Sequence, residues 1–222
     1  MISGFRLYPG HLDARAQLAL TRAVLDAALA APFYRPVTPG GGAMSVEMTN
    51  LGPLGWVTDV AGYRYQPIHP TTGAPWPAMP AALLDLWAEV ADAATPPDSC
   101  LVNFYRADAR MGLHQDRDEA DFSLPVLSIS LGDTAIFRIG GRDRRAPTRS
   151  VRLTSGDVCV LAGEARLAFH GIDRVLAGSS HLIPGGGRIN LTLRRARPPR
   201  GFDNDGGRGD HGAARGDPPC PP

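Results

Sequence analysis

The sequence predicts an α+β protein, an antiparallel β-sandwich or jelly roll with helices packed on one side. Three observations carry this: helical periodicity is confined to the stretch before Ser99, strand-like runs recur after it, and turn residues separate those runs. With 222 residues and 43% hydrophobic content, the chain can bury one sizeable core, so residues 1–197 read as a single domain.

Taken in order, residues 13–31 are rich in Ala and Leu, with Leu18, Val24, Leu25 and Leu29 at helical spacing, Pro9-Gly10 ahead and Pro32 behind. A helix with defined ends follows. Residues 36–43 form a Gly/Pro turn region. Residues 44–65 alternate short β-prone pieces with Gly52, Pro53, Gly55 and Gly62, which reads as hairpins on a mobile flap. The segment 66–80 holds five prolines and should be an ordered but irregular connection into a second helix over 81–94. Strands are predicted over 100–106, 126–131, 135–139, 151–153, 157–161 and 188–195, so the β core spans 99–195. From 198 to 222 the chain is Gly, Pro, Asp and Arg with almost nothing apolar, the composition of a disordered tail.

Composition removes several function classes. The net charge of +1 gives no whole-chain nucleic-acid signature, so such a partner must be argued from local patches. All 23 basic residues are arginine; without lysine there is neither a phosphate-loop lysine nor Schiff-base chemistry. Cys100, Cys159 and Cys220 are widely spaced and read as reduced, mostly buried thiols. No basic leader with an apolar core and no run of about 18 apolar residues appears, which predicts a cytoplasmic protein without a membrane partner.

The chemistry begins at His114-Gln115-Asp116, because in extended chain positions i and i+2 project to one side and can share a metal. Two histidines and one carboxylate on one face, with other positions open, is the arrangement of non-haem Fe(II) oxygenases. A second such triplet, His11-Leu12-Asp13, opens the first helix, where Asp13 is better explained as a helix-start residue. The third ligand is expected at His170, at the end of an apolar run beside Gly171, since His69, His181 and His211 lie in loops or tail. In 188–194, period two places Arg188, Asn190, Thr192 and Arg194 on one face and Ile189, Leu191 and Leu193 on the other. Taken alone this is an ordinary half-buried strand with a solvent face; the arginines flanking an asparagine equally suit a dicarboxylate. Asn103 and Tyr105 repeat the design on a second strand and can donate to the same acid.

Together these residues resemble the AlkB group of Fe(II) and 2-oxoglutarate dependent dioxygenases, in its bacterial branch. The resemblance covers roughly 44–195 and rests on Asn103 and Tyr105, His114 and Asp116, His170, then Arg188, Asn190 and Arg194, all in the family's order. The stretches 44–56 and 75–80 are also similar to that branch. The departures are arginine at every basic contact and a glycine-rich turn at 184–187; both bear on substrate preference and leave the chemistry intact.

The resemblance implies a double-stranded β-helix, or jelly roll, with N-terminal helices and a nucleotide-recognition flap over about 36–80. It implies catalysis by Fe(II) on His114, Asp116 and His170, with 2-oxoglutarate and O2 as cosubstrates. Arg188 would clamp the distal carboxylate with Tyr105 and Asn190 assisting, while Arg194 and Asn103 steady the metal-bound end, an exchange of the two arginine roles being the alternative. Oxidative demethylation of bases such as 1-methyladenine and 3-methylcytosine would follow, releasing formaldehyde, succinate and CO2. The implied partner is alkylated single-stranded DNA, with duplex DNA and RNA as further candidates, acted on by a monomer. By the same resemblance the extruded base would lie between Trp56 and His114, with Asp118 accepting from an exocyclic amino group and Tyr63 and Tyr65 near the nucleotide backbone. Residues 138–152 carry six arginines against Asp143 alone, an excess suited to phosphate; Arg144, Arg110 and Arg117 are the candidates. Two alternatives stay open: an oxygenase acting on a protein or small molecule, and a cupin-like metal-binding protein without turnover.

Overall fold

The structure, a computed structural model, describes residues 2–106 and 108–197. The predicted tail and Cys220 lie outside the described residues. Among the described residues the strands form three sheets. The large one runs β1 (Phe5–Tyr8), β10 (Val158–Leu161), β7 (Val126–Gly132), β12 (Arg188–Arg194), β5 (Ser99–Tyr105), β2 (Glu47–Leu51), every neighbour antiparallel. The small one runs β6 (Met111–His114), β11 (His170–Leu176), β8 (Thr134–Ile139), β9 (Arg149–Leu153). β3 (Gly55–Asp59) and β4 (Gly62–Gln66) pair in a separate hairpin.

Alternation along the strands builds two cores from one sheet. Cys100, Val102 and Phe104 of β5, Leu127, Ile129 and Leu131 of β7, and Ile189, Leu191 and Leu193 of β12 join an apolar cluster with the helices α1 (Ala14–Ala30) and α2 (Ala81–Val90). The alternate residues Leu101, Tyr105, Val126, Cys159 and Leu161 meet Ala135, Phe137, Ile139, Leu153 and Ile172 of the small sheet in a second cluster. Each buried aliphatic side chain contributes roughly 1.5 to 3 kcal/mol. The sandwich is thus apolar where helices cover it, and polar in one place inside, where Arg188, Asn190, Thr192 and Arg194 line a cavity. All four are buried, so the solvent-face reading of this strand does not hold.

Asp13 caps α1, accepting from the Ala16 amide at 2.7 Å, a contact worth about 1 kcal/mol. Its buried stripe is Leu20, Thr21 and Val24, with Leu25 packed alongside. The predicted face was partly wrong: Leu18 is 40% and Leu29 84% exposed, because they lie about 120° and 140° around the helix from Val24. α2 buries Leu83, Leu86, Trp87 and Val90, an i, i+3, i+4, i+7 set. It stops short of the expected 94, since Asp92 turns left-handed at φ 59 and the Trp87 indole donates to the Thr95 carbonyl at 3.0 Å. A further correction concerns 44–65: β2 is an edge strand of the large sheet, paired with β5, and the hairpin proper is β3 with β4. Its apolar and small side chains suit a buried edge, as Met48, Thr49 and Leu51 show by being buried.

One glycine decides how the small sheet meets the site. A Cβ on Gly171 would lie 2.5 Å from the Met111 carbonyl oxygen and 2.8 Å from that of Gly112, so β6 can lie against β11 only over a residue without a side chain. The loop entering β12 is held by Asp133, whose carboxylate accepts from the amides of Ser180 at 2.9 Å and Gly187 at 3.0 Å. That fixes where Arg188 begins.

Candidate metal centre and its cavity

His114 closes β6 and His170 opens β11, and the two are register partners with ring centroids 4.5 Å apart. Each ring places Nδ1 on a carbonyl oxygen: His114 on Gly112 at 3.0 Å, His170 on Ala168 at 2.9 Å. A carbonyl can only accept, so Nδ1 carries the proton and Nε2 keeps its lone pair for a metal. The Nε2 atoms lie 3.7 Å and 3.8 Å from Asp116 Oδ1 and Oδ2, and the three ligand atoms lie within 4.8 Å of one another. The sequence-predicted triad therefore converges.

Electrostatics set Asp116 and His170 in ligating form. Burial pushes the Asp116 carboxyl up, but Arg194, His170, His114 and Arg166 outweigh it and hold the group well below the usual carboxylate range. Burial, reinforced by His114, pushes His170 down to about 4, so it is neutral at neutral pH. A carboxylate with a neutral imidazole is what a divalent cation takes.

The asparagine, tyrosine and arginine set lies on the large-sheet wall of the same cavity, which encloses about 740 Å³. Arg188 is buried; its Nη2 donates to Ser130 Oγ at 3.0 Å, while Nε and Nη1 have no partner among the described residues. Its guanidinium sits 5.3 Å over the Tyr105 ring. A buried cation with two unmatched donors facing a cavity is costly unless an anion completes it, which fits the distal carboxylate of a diacid. Asn190 gives its amide to Ser128 Oγ at 2.8 Å and Ile129 O at 3.1 Å, and accepts from Asn103 at 3.2 Å. Asn103 thus donates to Asn190, while its own Oδ1 has no partner among the described residues.

Arg194 is already engaged: Nη2 pairs with Asp116 Oδ1 at 2.8 Å and Nε lies 3.6 Å from Glu119 Oε1. This separates the two arginines, leaving Arg188 with unmatched donors and Arg194 beside the metal ligand. Glu119 and Arg166 escaped the sequence reading. Arg166 is buried and donates to the Asp116 carbonyl at 2.6 Å, the Leu124 carbonyl at 2.8 Å and Glu119 at 2.8 Å. It staples the loop after Asp116 against the short helical turn Gly163–Leu167. The acidic run Asp116, Asp118, Glu119 was a visible signal for the glutamate; Arg166 had none.

On the outer side of the cavity, Trp56 stacks on Tyr63 with centroids 5.6 Å apart, and its Nε1 donates to Asp118 Oδ2 at 2.7 Å. Trp56, Tyr63, Asp118, Arg117 and Arg144 all line the cavity, and the Arg144 guanidinium lies 5.7 Å over Phe169. Tyr65 is placed differently from its expected outward role: its hydroxyl donates to Glu119 Oε1. Arg110 lies away from this lining, on the loop that holds Ser45 by its backbone.

A jelly roll that gathers two histidines and an aspartate beside a buried, unmatched guanidinium defines a non-haem iron oxygenase with a diacid cosubstrate. Residues 4–194 match the 2OG-Fe(II) oxygenase superfamily. The chain is 67% identical over 197 residues to an alpha-ketoglutarate-dependent dioxygenase AlkB homolog of Caulobacter vibrioides, covering 89% of this chain and 90% of that one. It is 48% identical to the alpha-ketoglutarate-dependent dioxygenase AlkB of Escherichia coli, covering 80% and 83%. The solved structure of OsALKBH1 superimposes with a TM-score of 0.74 at 32% identity, covering 88% of this chain and 99% of that one. More distant relatives bear the names DNA N(6)-methyladenine demethylase, in Arabidopsis thaliana, and tRNA demethylase, in Schizosaccharomyces pombe. The chain belongs to the 2OG-Fe(II) oxygenase superfamily and, within it, to the bacterial-type AlkB family of Fe(II)/2-oxoglutarate-dependent dioxygenases. Its cosubstrates are 2-oxoglutarate and O2, and among the described residues no helix is long and apolar enough to cross a membrane.

Proposed function

We propose that this dioxygenase removes N-linked methyl groups from bases such as 1-methyladenine and 3-methylcytosine in DNA and RNA, and so repairs alkylation damage. The observation that carries the reading is a single cavity holding the His114, Asp116, His170 triad, the unmatched Arg188 and the Trp56 and Tyr63 aromatic pair.

His114, Asp116 and His170 would hold the iron. When bound, iron with 2-oxoglutarate and O2 supplies an oxidant that inserts one oxygen atom into a C–H bond, while the keto acid becomes succinate and CO2. Arg188 binds the distal carboxylate through Nε and Nη1, beside Tyr105 and Asn190. Arg194 holds Asp116, and Asn103 braces Asn190. The base enters from the hairpin side and stacks between Trp56 and His114, a contact worth roughly 1 to 3 kcal/mol. Asp118 accepts from its exocyclic amine through the oxygen that Trp56 leaves free. Tyr63, Arg117, Arg144 and the more distant Arg110 take the nucleotide backbone. The hydroxymethyl group left on the nitrogen then breaks its C–N bond: its hydroxyl proton goes to solvent, the nitrogen takes back the electron pair, and formaldehyde leaves.

Single strands are the preferred form in this reading, because unstacking from a duplex costs a few kcal/mol that a free strand does not require. The recognition flap of 36–80 reduces in substance to the β3–β4 hairpin and its flanking connections. The enzyme acts as a monomer in the cytoplasm. The test is an anaerobic preparation loaded with Fe(II), then given 2-oxoglutarate, O2 and an oligonucleotide carrying 1-methyladenine or 3-methylcytosine. The expected product is lighter by one methyl group with stoichiometric formaldehyde. Succinate formed without any change in the oligonucleotide would redirect the reading to a protein or small-molecule substrate.

A further inference from the structure

The β3–β4 hairpin touches the metal loop at two consecutive carboxylates. Trp56 and Tyr65 are register partners across the hairpin. The Trp56 indole goes to Asp118, and the Tyr65 hydroxyl goes to Glu119. Two residues earlier stands Asp116. Between Glu119 and Asp116 lies one guanidinium: Arg194 pairs through Nη2 with Asp116 Oδ1 at 2.8 Å, while its Nε faces Glu119 Oε1 at 3.6 Å without making a hydrogen bond.

The detail that matters is which oxygen each group uses. Arg166 occupies Glu119 Oε2 at 2.8 Å. The Tyr65 hydroxyl and Arg194 Nε therefore converge on the same remaining oxygen, Oε1. While the tyrosine donates to it, the arginine stays short of hydrogen-bond distance and remains on Asp116. Withdraw the tyrosine, and a buried carboxylate oxygen loses a donor with an unsatisfied buried N–H beside it. Charge-assisted bonds are the strong ones in such surroundings, so the guanidinium moves to Glu119 and releases or tilts Asp116.

We infer that Tyr65 is a positioning residue: docking of the β3–β4 hairpin, through Tyr65, Glu119 and Arg194, sets the orientation of the iron ligand Asp116. The inference rests on the assignment of Asp116 as an iron ligand. Its consequence is that a lid closed over substrate holds the carboxylate in ligating position, and a lid standing open loosens it. The oxidising centre is then competent chiefly when the hairpin is down.

The test uses Tyr65→Phe, which keeps the ring and removes the hydroxyl alone, and needs no nucleic acid. Three readouts are compared with wild type. They are hydrogen–deuterium exchange of 55–66, the dissociation constant for Mn(II), and the visible charge-transfer absorption of the anaerobic complex with Fe(II) and 2-oxoglutarate. The expected result is faster exchange in the hairpin, metal binding weakened about tenfold, as for loss of an outer partner of a ligand, and a shifted absorption band. Glu119→Gln serves as a second variant, with thermal melting to check that Arg166 still finds its place. If folded, it lacks the carboxylate that draws Arg194 off Asp116, so its metal binding stays near wild type and adding Tyr65→Phe to it no longer weakens binding; a full Tyr65→Phe defect on this background overturns the inference. Wild-type metal affinity and an unmoved band in Tyr65→Phe, whether or not the hairpin loosens, overturn the inference. Since none of these readouts involves a methylated base, the demethylase reading can fail while this one stands, and the reverse.

Discussion

The Trp56 indole nitrogen donates to Asp118 across 2.7 Å, so the aromatic platform and the carboxylate assigned to read the base are one unit. Replacing Trp56 by Ala removes a stacking surface worth about 1 to 3 kcal/mol, which corresponds to roughly a five- to 150-fold loss. The loss is expected in kcat/KM on a methylated oligonucleotide. Formation of succinate in the absence of nucleic acid should persist. Full demethylation by Trp56→Ala would end the stacking role.

Asp118→Ala is expected to change the ranking of methylated bases more than it changes uncoupled succinate formation. Because Asp118 also steers Trp56, a double-mutant cycle of the two should be non-additive, as for any pair in contact. Competition between 1-methyladenine and 3-methylcytosine oligonucleotides reads the ranking directly; equal losses in both assays would assign Asp118 a structural role instead.

Arg188→Met keeps the length of the side chain but deletes the charge. Losing one partner of a buried charge pair costs about 2 to 5 kcal/mol, so 2-oxoglutarate binding should weaken at least about thirtyfold. Iron binding to the triad should survive, since Arg188 contacts Ser130 and Tyr105 and none of the three ligands. Calorimetric titration with 2-oxoglutarate, beside a metal titration, separates the two. Unchanged cosubstrate affinity would mean that a group other than Arg188 holds the distal carboxylate.

Gly171→Ala forces a Cβ to within 2.5 Å of the Met111 carbonyl, a backbone atom with nowhere to go. The two strands must part, at a cost of about 1 to 3 kcal/mol, and the His114 and His170 rings part with them. A lowered Tm and weakened Mn(II) binding are expected together. A normal metal affinity in this variant would mean that the small sheet adapts more readily than its packing suggests.

Burial pushes the thiols of Cys100 and Cys159 and the phenol of Tyr105 up to about 12. Their unfolded counterparts ionise from about 8.5 to 10. As pH rises past about 8 the unfolded chain begins to shed protons that the folded chain keeps, so stability falls progressively from there to about pH 12 and is unaffected by these groups well below that window. Thermal melts across this range should show the decline. At pH 8 both cysteines should resist alkylation in the native protein and react once guanidinium unfolds it.

Much of the centre could be read from the chain because it is written in short-range spacing. His114 and Asp116 are two residues apart, and the β12 quartet alternates, so one-dimensional periodicity already placed each set on one side of the backbone. His170 was reachable by the ligand count that an open iron site demands. What stayed hidden depends on contacts distant in sequence. β11 was missed because Gly171 and the polar Asp173 and Arg174 break its pattern, and their tolerance comes from pairing with β6 and β8. β1 and β6 are four residues each and, unlike the all-apolar β10 of the same length, mix apolar residues with arginine, glycine or histidine, so no strand pattern registers. β2 reads as flap from its sequence because nothing local says which sheet it edges, and only its pairing with β5 decides it. Glu119 and Arg166 are 47 positions apart, so their pairing could not be seen before folding.

Strand β12 packs two unrelated jobs into seven consecutive residues, one for the helix-covered core and one for the polar wall of the cavity. A single inserted or deleted residue midway would exchange them, driving a guanidinium into the helices and an isoleucine or leucine into the cosubstrate cavity. Evolution can therefore edit this segment letter by letter but cannot lengthen or shorten it, and in any collection of viable variants its length should be the most rigidly kept dimension of the enzyme.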